Sequence, residues 1–315
     1  MFCKLPPPKR RGSSIYTKFS RVFLAATANT DVDTAITETA TANTALYTAK
    51  SKKSKILLAF CSLIRTFAPY NIEKKKRMAC ILHIETSTNA CSVAVSENGQ
   101  CIYEETQHGE RGAGAEQLGR MVDEALSFTD SHAIPFDAVS VSCGPGSYTG
   151  LRIGISMAKG ICYGRDLKLI AVPTLELMCV PVLLREMTSP DDSQEGEQEP
   201  LLCPMIDARR MEVYSALYDR SLKTVREVKA DVVTEETYKQ WLDERPIYFF
   251  GNGAKKCMET IKHPNAHFID NIEPLAKWMM PLAEKRFLNE QFEDVAYFVP
   301  FYLKDFVAIK AKPLL

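Results

Sequence analysis

The sequence predicts an α/β protein of two similar lobes, each a mixed sheet flanked by helices. Three observations carry that reading. A short apolar run that ends on an acid and is followed by a hairpin occurs at residues 80–85, CILHIE, and again at residues 201–207, LLCPMID. In both halves a later apolar run enters a glycine-rich turn and then helical sequence, at GPGSYTG (144–150) and at GNGA (251–254). Between the copies lies TSPDDSQEGEQEP, residues 188–200, acidic and without apolar periodicity, which reads as a linker or loop. An internal repeat of this kind implies two lobes with a crevice between them.

Each element has its own signal. In the first copy CSVAVS and CIYEET alternate on either side of ENGQ, where Asn98-Gly99 is a strong hairpin turn. The segment AEQLGRMVDEALSF sets Leu118, Met121, Val122, Ala125 and Leu126 at helical spacing on one apolar stripe. The strand AVSVSC, the glycine turn, a helix over roughly 149–164, the strand LKLIAV and a helix from Thr174 complete a βββαβαβα order. In the second copy EVYSALYD and SLKTVREVK form a hairpin, and IYFF runs into Gly251 and Gly253. Residues 78–187 are therefore expected to form the first lobe and 201–315 a smaller second one whose end can return to the first.

Residues 1–77 stand apart. They hold 15 Lys and Arg against 4 Asp and Glu, a charge of +11 that the remainder cancels with −11. The stretch 25–50 is mostly Ala and Thr with no apolar period, and KLPPPKRR and KSKKSK are solvated basic runs. The apolar patch ILLAFCSLI (56–64) is too short to span a bilayer. This stretch is expected to lie outside any packed fold, as a tail, a transit segment, or sequence upstream of a start at Met78. The acidic folded part lacks the electrostatic footprint of an independent nucleic-acid binder. Ten cysteines without a C-x-x-C pair fit small buried hydrophobes in a reducing cytoplasm.

The loop SCGPGSYTGLRIG poses the chemical question, because glycines between a strand and a helix can cradle phosphate. It is not a Walker loop, since no lysine follows Gly150, and not a dinucleotide fingerprint, since Gly150 comes one residue late. A tight turn that only shapes the helix is the alternative. In the helix itself Gly150, Gly154 and Ala158 recur every fourth residue, and Leu151, Ile153, Ile155, Met157 and Ile161 make it apolar nearly all round, with Arg152 and Lys159 its charges. Such a helix needs cover on more than one side, from its own sheet, its neighbour helix or another protein. His263 and His267 read as surface loop histidines, because Pro264 opposes a helix there. His83 reads as a satisfied core residue.

The motifs ILHIETSTNACSVAV (81–95), GPGSYTGLRIG (144–154), IDARRMEVY (206–214) and PFYLK (300–304) resemble the TsaB, or YeaZ, family, and the duplicated layout resembles the actin-like ATPase superfamily with its RNase H-like lobes. The resemblance covers nearly everything from Met78 onward. It implies a cytoplasmic, non-catalytic subunit that forms homodimers and binds TsaD, with TsaE joining, in making threonylcarbamoyladenosine next to the anticodon of tRNA. The tRNA is then met through the complex, and no membrane is involved. It places the interface on the two first-lobe helices, at Leu118, Met121, Val122, Ala125, Gly150, Arg152, Gly154, Met157 and Ala158. It makes Glu85, Ser87, Gly144, Gly146, Asp207, Gly251 and Gly253 the remnant of a nucleotide crevice. No catalytic residue, metal or required cofactor is assigned, and weak nucleotide binding is the most that crevice is expected to retain.

Two departures bear on this. TsaD carries a metal-binding His-x-x-x-His pair where this chain has Thr174 and Met178, neither a fitting ligand. TsaB relatives commonly begin the first helix with a histidine where this chain has Gly114. The competing functions are an ATP-dependent small-molecule kinase of the same superfamily, which would need an open carboxylate and an intact phosphate loop, and a metallopeptidase.

Overall fold

A computed structural model of the chain describes residues 79–109, 114–188 and 198–304. The basic N-terminal stretch and most of the acidic 188–200 segment lie outside the described residues, so the expectations for both stand there untouched.

The first sheet contains β1 (Cys80–Glu85), β2 (Ala90–Glu97), β3 (Gln100–His108), β4 (Ala138–Gly144) and β5 (Lys168–Pro173), in the order β3-β2-β1-β4-β5. Strands β1 to β3 are antiparallel, while β4 and β5 run parallel to β1. The second sheet repeats this order as β8-β7-β6-β9-β10, with β6 (Leu201–Asp207), β7 (Glu212–Tyr218), β8 (Thr224–Val232), β9 (Ile247–Phe250) and β10 (Ala266–Ile269). The Asn98-Gly99 turn takes positive φ at both residues, as a two-residue hairpin requires. Two mixed sheets of one topology therefore form the two-lobed α/β fold.

Helix α1 (Gly114–Ser131) covers the first sheet with its apolar stripe, and Leu118, Met121, Val122 and Ala125 join the core of β1, β2 and β4. Helix α2 (Tyr148–Arg165) starts on Ser147, whose hydroxyl accepts the Gly150 N–H, and stops at Asp166 in the left-handed region. Helix α3 (Thr174–Thr188) is buried on nearly every side from Leu175 to Leu184. It sits between the sheets, and a single core joins Ile81, Ile170 and Val172 of the first to Leu202, Ile206 and Ala216 of the second. A helix apolar all round belongs in such a place.

The second lobe is thinner. Its helices α4 (Lys239–Leu242) and α5 (Ala254–Cys257) are one turn each, so the glycine turn that launches 18 residues of α2 launches only four here. The chain then crosses back to the first lobe. A 3₁₀ turn (Ala276–Met279) and α6 (Met280–Leu288) pack against the first sheet and α3. A strap follows, in which Glu293 N–H bonds Leu169 O, Phe301 N–H bonds Cys143 O at 2.8 Å, and Lys159 holds the carbonyls of Ala296 and Phe298.

Candidate functional site

The two strand-end acids occupy equivalent places and meet different surroundings. Glu85 closes β1 without exposed surface. One of its oxygens accepts the Ser87 N–H, and the hydroxyls of Ser87 and Ser142 lie beside the carboxyl. Burial pushes the Glu85 carboxyl up to about 7, against the opposing pull of Ser87 and Ser142. Asp207, at the end of β6, is open to solvent. It accepts the Arg209 N–H at 3.0 Å and pairs with Lys256, which also donates to the carbonyls of Arg210 and Glu212. A lysine from α5, not the adjoining Arg209 or Arg210, is thus the counter-charge.

The glycine loop of the first lobe is filled by the chain itself. Ser147 N–H, an amide that would face a phosphate, donates to Ser87 O at 2.6 Å. A Cβ at Gly146 would overlap the Ser87 backbone, and one at Gly150 the Thr86 carbonyl oxygen. At Gly154 the obstacle would be the Thr86 hydroxyl, which donates to Gly150 O at 2.7 Å. Gly144, at φ +112, lies under the Phe301 carbonyl of the strap. These glycines serve close backbone packing. The second turn is built likewise: Gly251, at φ +102, lies against Met205 O, and a Cβ at Gly253 would stand 2.9 Å from the Ile206 carbonyl carbon.

The small-residue strip expected to meet a partner therefore faces inward. Gly150 and Gly154 pack on Thr86, and Ala158 is buried. Leu118, Met121, Val122 and Ala125 are likewise used by the chain's own core, because a helix over an open sheet must spend its apolar stripe there first. Of the residues expected at an interface, Arg152 and Met157 face outward. They line an open groove of about 750 Å³ with Leu126 of α1 and Ile153, Ser156, Gly160, Ile161 and Gly164 of α2. A Cβ at Gly160 or Gly164 would meet nothing within 4 Å. A neighbouring ion pair, Arg165 to Asp130 at 3.0 Å, ties the two helices together at one end. Gly114 is the first residue of α1.

The histidines do not converge. His267 belongs to β10 rather than to a loop and meets the edge of the Tyr248 ring, whereas His263 lies 3.3 Å from Asp243. Pro264 interrupts helical sequence there but leaves an edge strand free to begin two residues later. His83 is bonded by Ser140 and Ser96, and burial lowers its pKa to about 3. Among the described residues no three acidic, cysteine or histidine side chains form a group suited to a metal ion. Thr174 and Met178 are buried in α3. No described helix is long and apolar enough to cross a membrane. The sequence allowed the end of the chain to return to the first lobe, but its motif there, PFYLK, carries no period and announces none of the strap's contacts.

Comparison with known proteins gives this geometry a lineage. The family model for TsaD, tRNA N6-adenosine threonylcarbamoyltransferase, matches residues 113–312. The tRNA threonylcarbamoyladenosine biosynthesis protein TsaB of Escherichia coli is 29% identical over 252 residues, covering 74% of this chain and 98% of the relative. Its Haemophilus influenzae counterpart is 26% identical over 254 residues, covering 74% and 97%. The solved structure of YeaZ from Pseudomonas aeruginosa superposes with a TM-score of 0.58 at 23% identity, covering 72% of this chain and all of that one. The TsaD-type match runs over more than half of the sequence and the TsaB relatives over most of it, and the chain belongs to this family as a TsaB, or YeaZ, member.

Proposed function

We propose that this chain is a non-catalytic subunit of the machinery that makes threonylcarbamoyladenosine in tRNA, that it works in the cytoplasm, and that it organises a TsaD-type transferase through the outer faces of α1 and α2. The observation that carries the reading is the filled glycine loop: Thr86, Ser87 and Phe301 pack directly against Gly144, Gly146, Gly150 and Gly154. A kinase would need an open carboxylate in the crevice. Glu85 is sealed off, and Asp207 is held by Lys256.

The same outer groove supports the partner assignment. Gly160 and Gly164 each cost the helix about 1 kcal/mol relative to alanine, and nothing among the described residues comes close enough to require them. A helix of another subunit crossing there would use that space for close backbone approach. A second copy of this chain would compete with TsaD for the groove, and TsaE would join the TsaB–TsaD pair, with tRNA reached through the complex.

Gly160→Leu is the decisive variant, since it fills the groove without touching the core. It should keep its circular dichroism and melting temperature yet lose co-purification with TsaD and its own dimer in gel filtration. A variant that folds and still binds both would place the interface elsewhere. ATP turnover by the isolated wild-type chain, abolished by Glu85→Ala, would overturn the non-catalytic assignment.

A further inference from the structure

Glu284, on α6, has no exposed surface, and only one of its carboxylate oxygens has a partner. Oε2 accepts the backbone N–H of Ala79 at 3.5 Å, while Oε1 meets no donor. Asp137 lies alongside, its Oδ2 accepting the Cys80 N–H at 2.8 Å. Burial, followed by the like charge of Asp137, pushes the Glu284 carboxyl up to about 7, and the Ala79 N–H opposes that rise. Two carboxylates therefore converge on the two residues that lead into β1.

A buried carboxylate with one bare oxygen is costly unless it takes up a proton or meets a cation. The residue it meets is alanine, and methionine precedes it. A residue with so small a side chain after methionine is the context in which methionine aminopeptidase removes an N-terminal methionine. Ala79 itself is only 1% exposed.

We infer that the working form of this chain begins at Ala79, and that its free α-ammonium forms a buried ion pair with Glu284, with Asp137 as the second carboxylate. The step requires a polypeptide initiated at Met78, whose free amine the aminopeptidase recognises, and the bond broken is then the Met78–Ala79 peptide bond. Water supplies the hydroxyl that completes the Met78 carboxylate and a proton to the Ala79 nitrogen, which takes up a second proton at neutral pH. An α-ammonium has three N–H donors where the amide has one, so Glu284 Oε1 gains the donor it lacks. A charge-assisted bond of this kind is shorter and stronger than an amide one. The N-terminal amine becomes a structural cation that fastens β1 to α6.

The test uses protein purified from the cells that make it. N-terminal peptide mapping with amine labelling should return Ala79 with an unmodified amine. Peptides from upstream of Met78 in the folded protein, or an acetylated Ala79, would overturn the inference. Acylation of that amine should be at least tenfold slower in the native protein than in urea, and Glu284→Gln should restore most of the difference. Equal labelling rates in native and unfolded wild-type protein would overturn the ion pair even if the Gln variant fails to fold.

Discussion

The turn after β1 and the turn after β6 begin from the same plan, a strand-end acid facing a glycine-rich turn, and end in different physical states. At the first, the acid is sealed in the protein and the turn is packed so tightly that Gly146, Gly150 and Gly154 all touch Thr86 or Ser87. At the second, the acid stays in solvent under Lys256, and the helix beyond it is a single turn. The difference teaches that a duplicated motif keeps its geometry long after the use of that geometry has diverged. The first copy has become a packing joint, and the second a surface ion pair.

Substitution at the glycines should separate the two most sharply. Gly150→Ala forces a methyl group into the Thr86 carbonyl and should cost about 3 kcal/mol, read as a shift in the urea midpoint. Gly253→Ala has more room and should cost about 1 kcal/mol. Equal losses at both would erase the contrast.

The acids provide the next largest effect. The folded-state pKa of Glu85, about 7, lies above its ordinary value of 4.5. Below pH 4.5 the group is protonated in both the folded and unfolded chain and exacts no penalty. As pH rises toward 7 the unfolded chain ionises first, so the folded state loses stability, approaching about 3 kcal/mol at 1.36 kcal/mol per pK unit. Glu85→Gln should lack that loss, so urea melts at pH 5 and pH 8 should differ less in the variant than in the wild type. The same slope in both proteins would show that Glu85 is not sealed. Asp207→Asn, which removes half of an exposed ion pair, should change stability by no more than about 1 kcal/mol.

The smallest expected effect is a gain. Gly160→Ala, where no backbone approaches, should stabilise the chain by about 0.5 kcal/mol, read in the same melts. A loss there would mean that α2 is packed on its outer side as tightly as on its inner one.

Much of this architecture was legible in the chain. The period-two runs around Asn98-Gly99, the repeated acid after β1 and β6 and the glycine turns carry local signals, and each led to the observed element. The roles within the site were less legible, because they depend on which face a residue turns inward. Gly150 and Gly160 look alike in sequence, yet one lies under Thr86 and the other is open. Leu118 and Met121 match any amphipathic helix, and only the sheet beneath them decides that they are core. The burial of Glu85 and the lone oxygen of Glu284 were invisible, since both are made by segments distant in sequence. The strap from Glu293 to Tyr302 makes contacts to Leu169 and Cys143 that no local pattern announces.

Helix α3 bears on how the molecule can move. Nucleotide-driven machines of two lobes work by opening and closing a cleft, which needs a thin, yielding connection that can flex without breaking a core. Here the connection is a buried helix whose side chains share one core with both sheets, Leu175 and Val182 in the same cluster as Ile170 and Leu202, and Met178 beside Gly251. A swing of one lobe would tear open that shared interior. The two lobes are thereby joined through one shared interior rather than hinged about an open cleft.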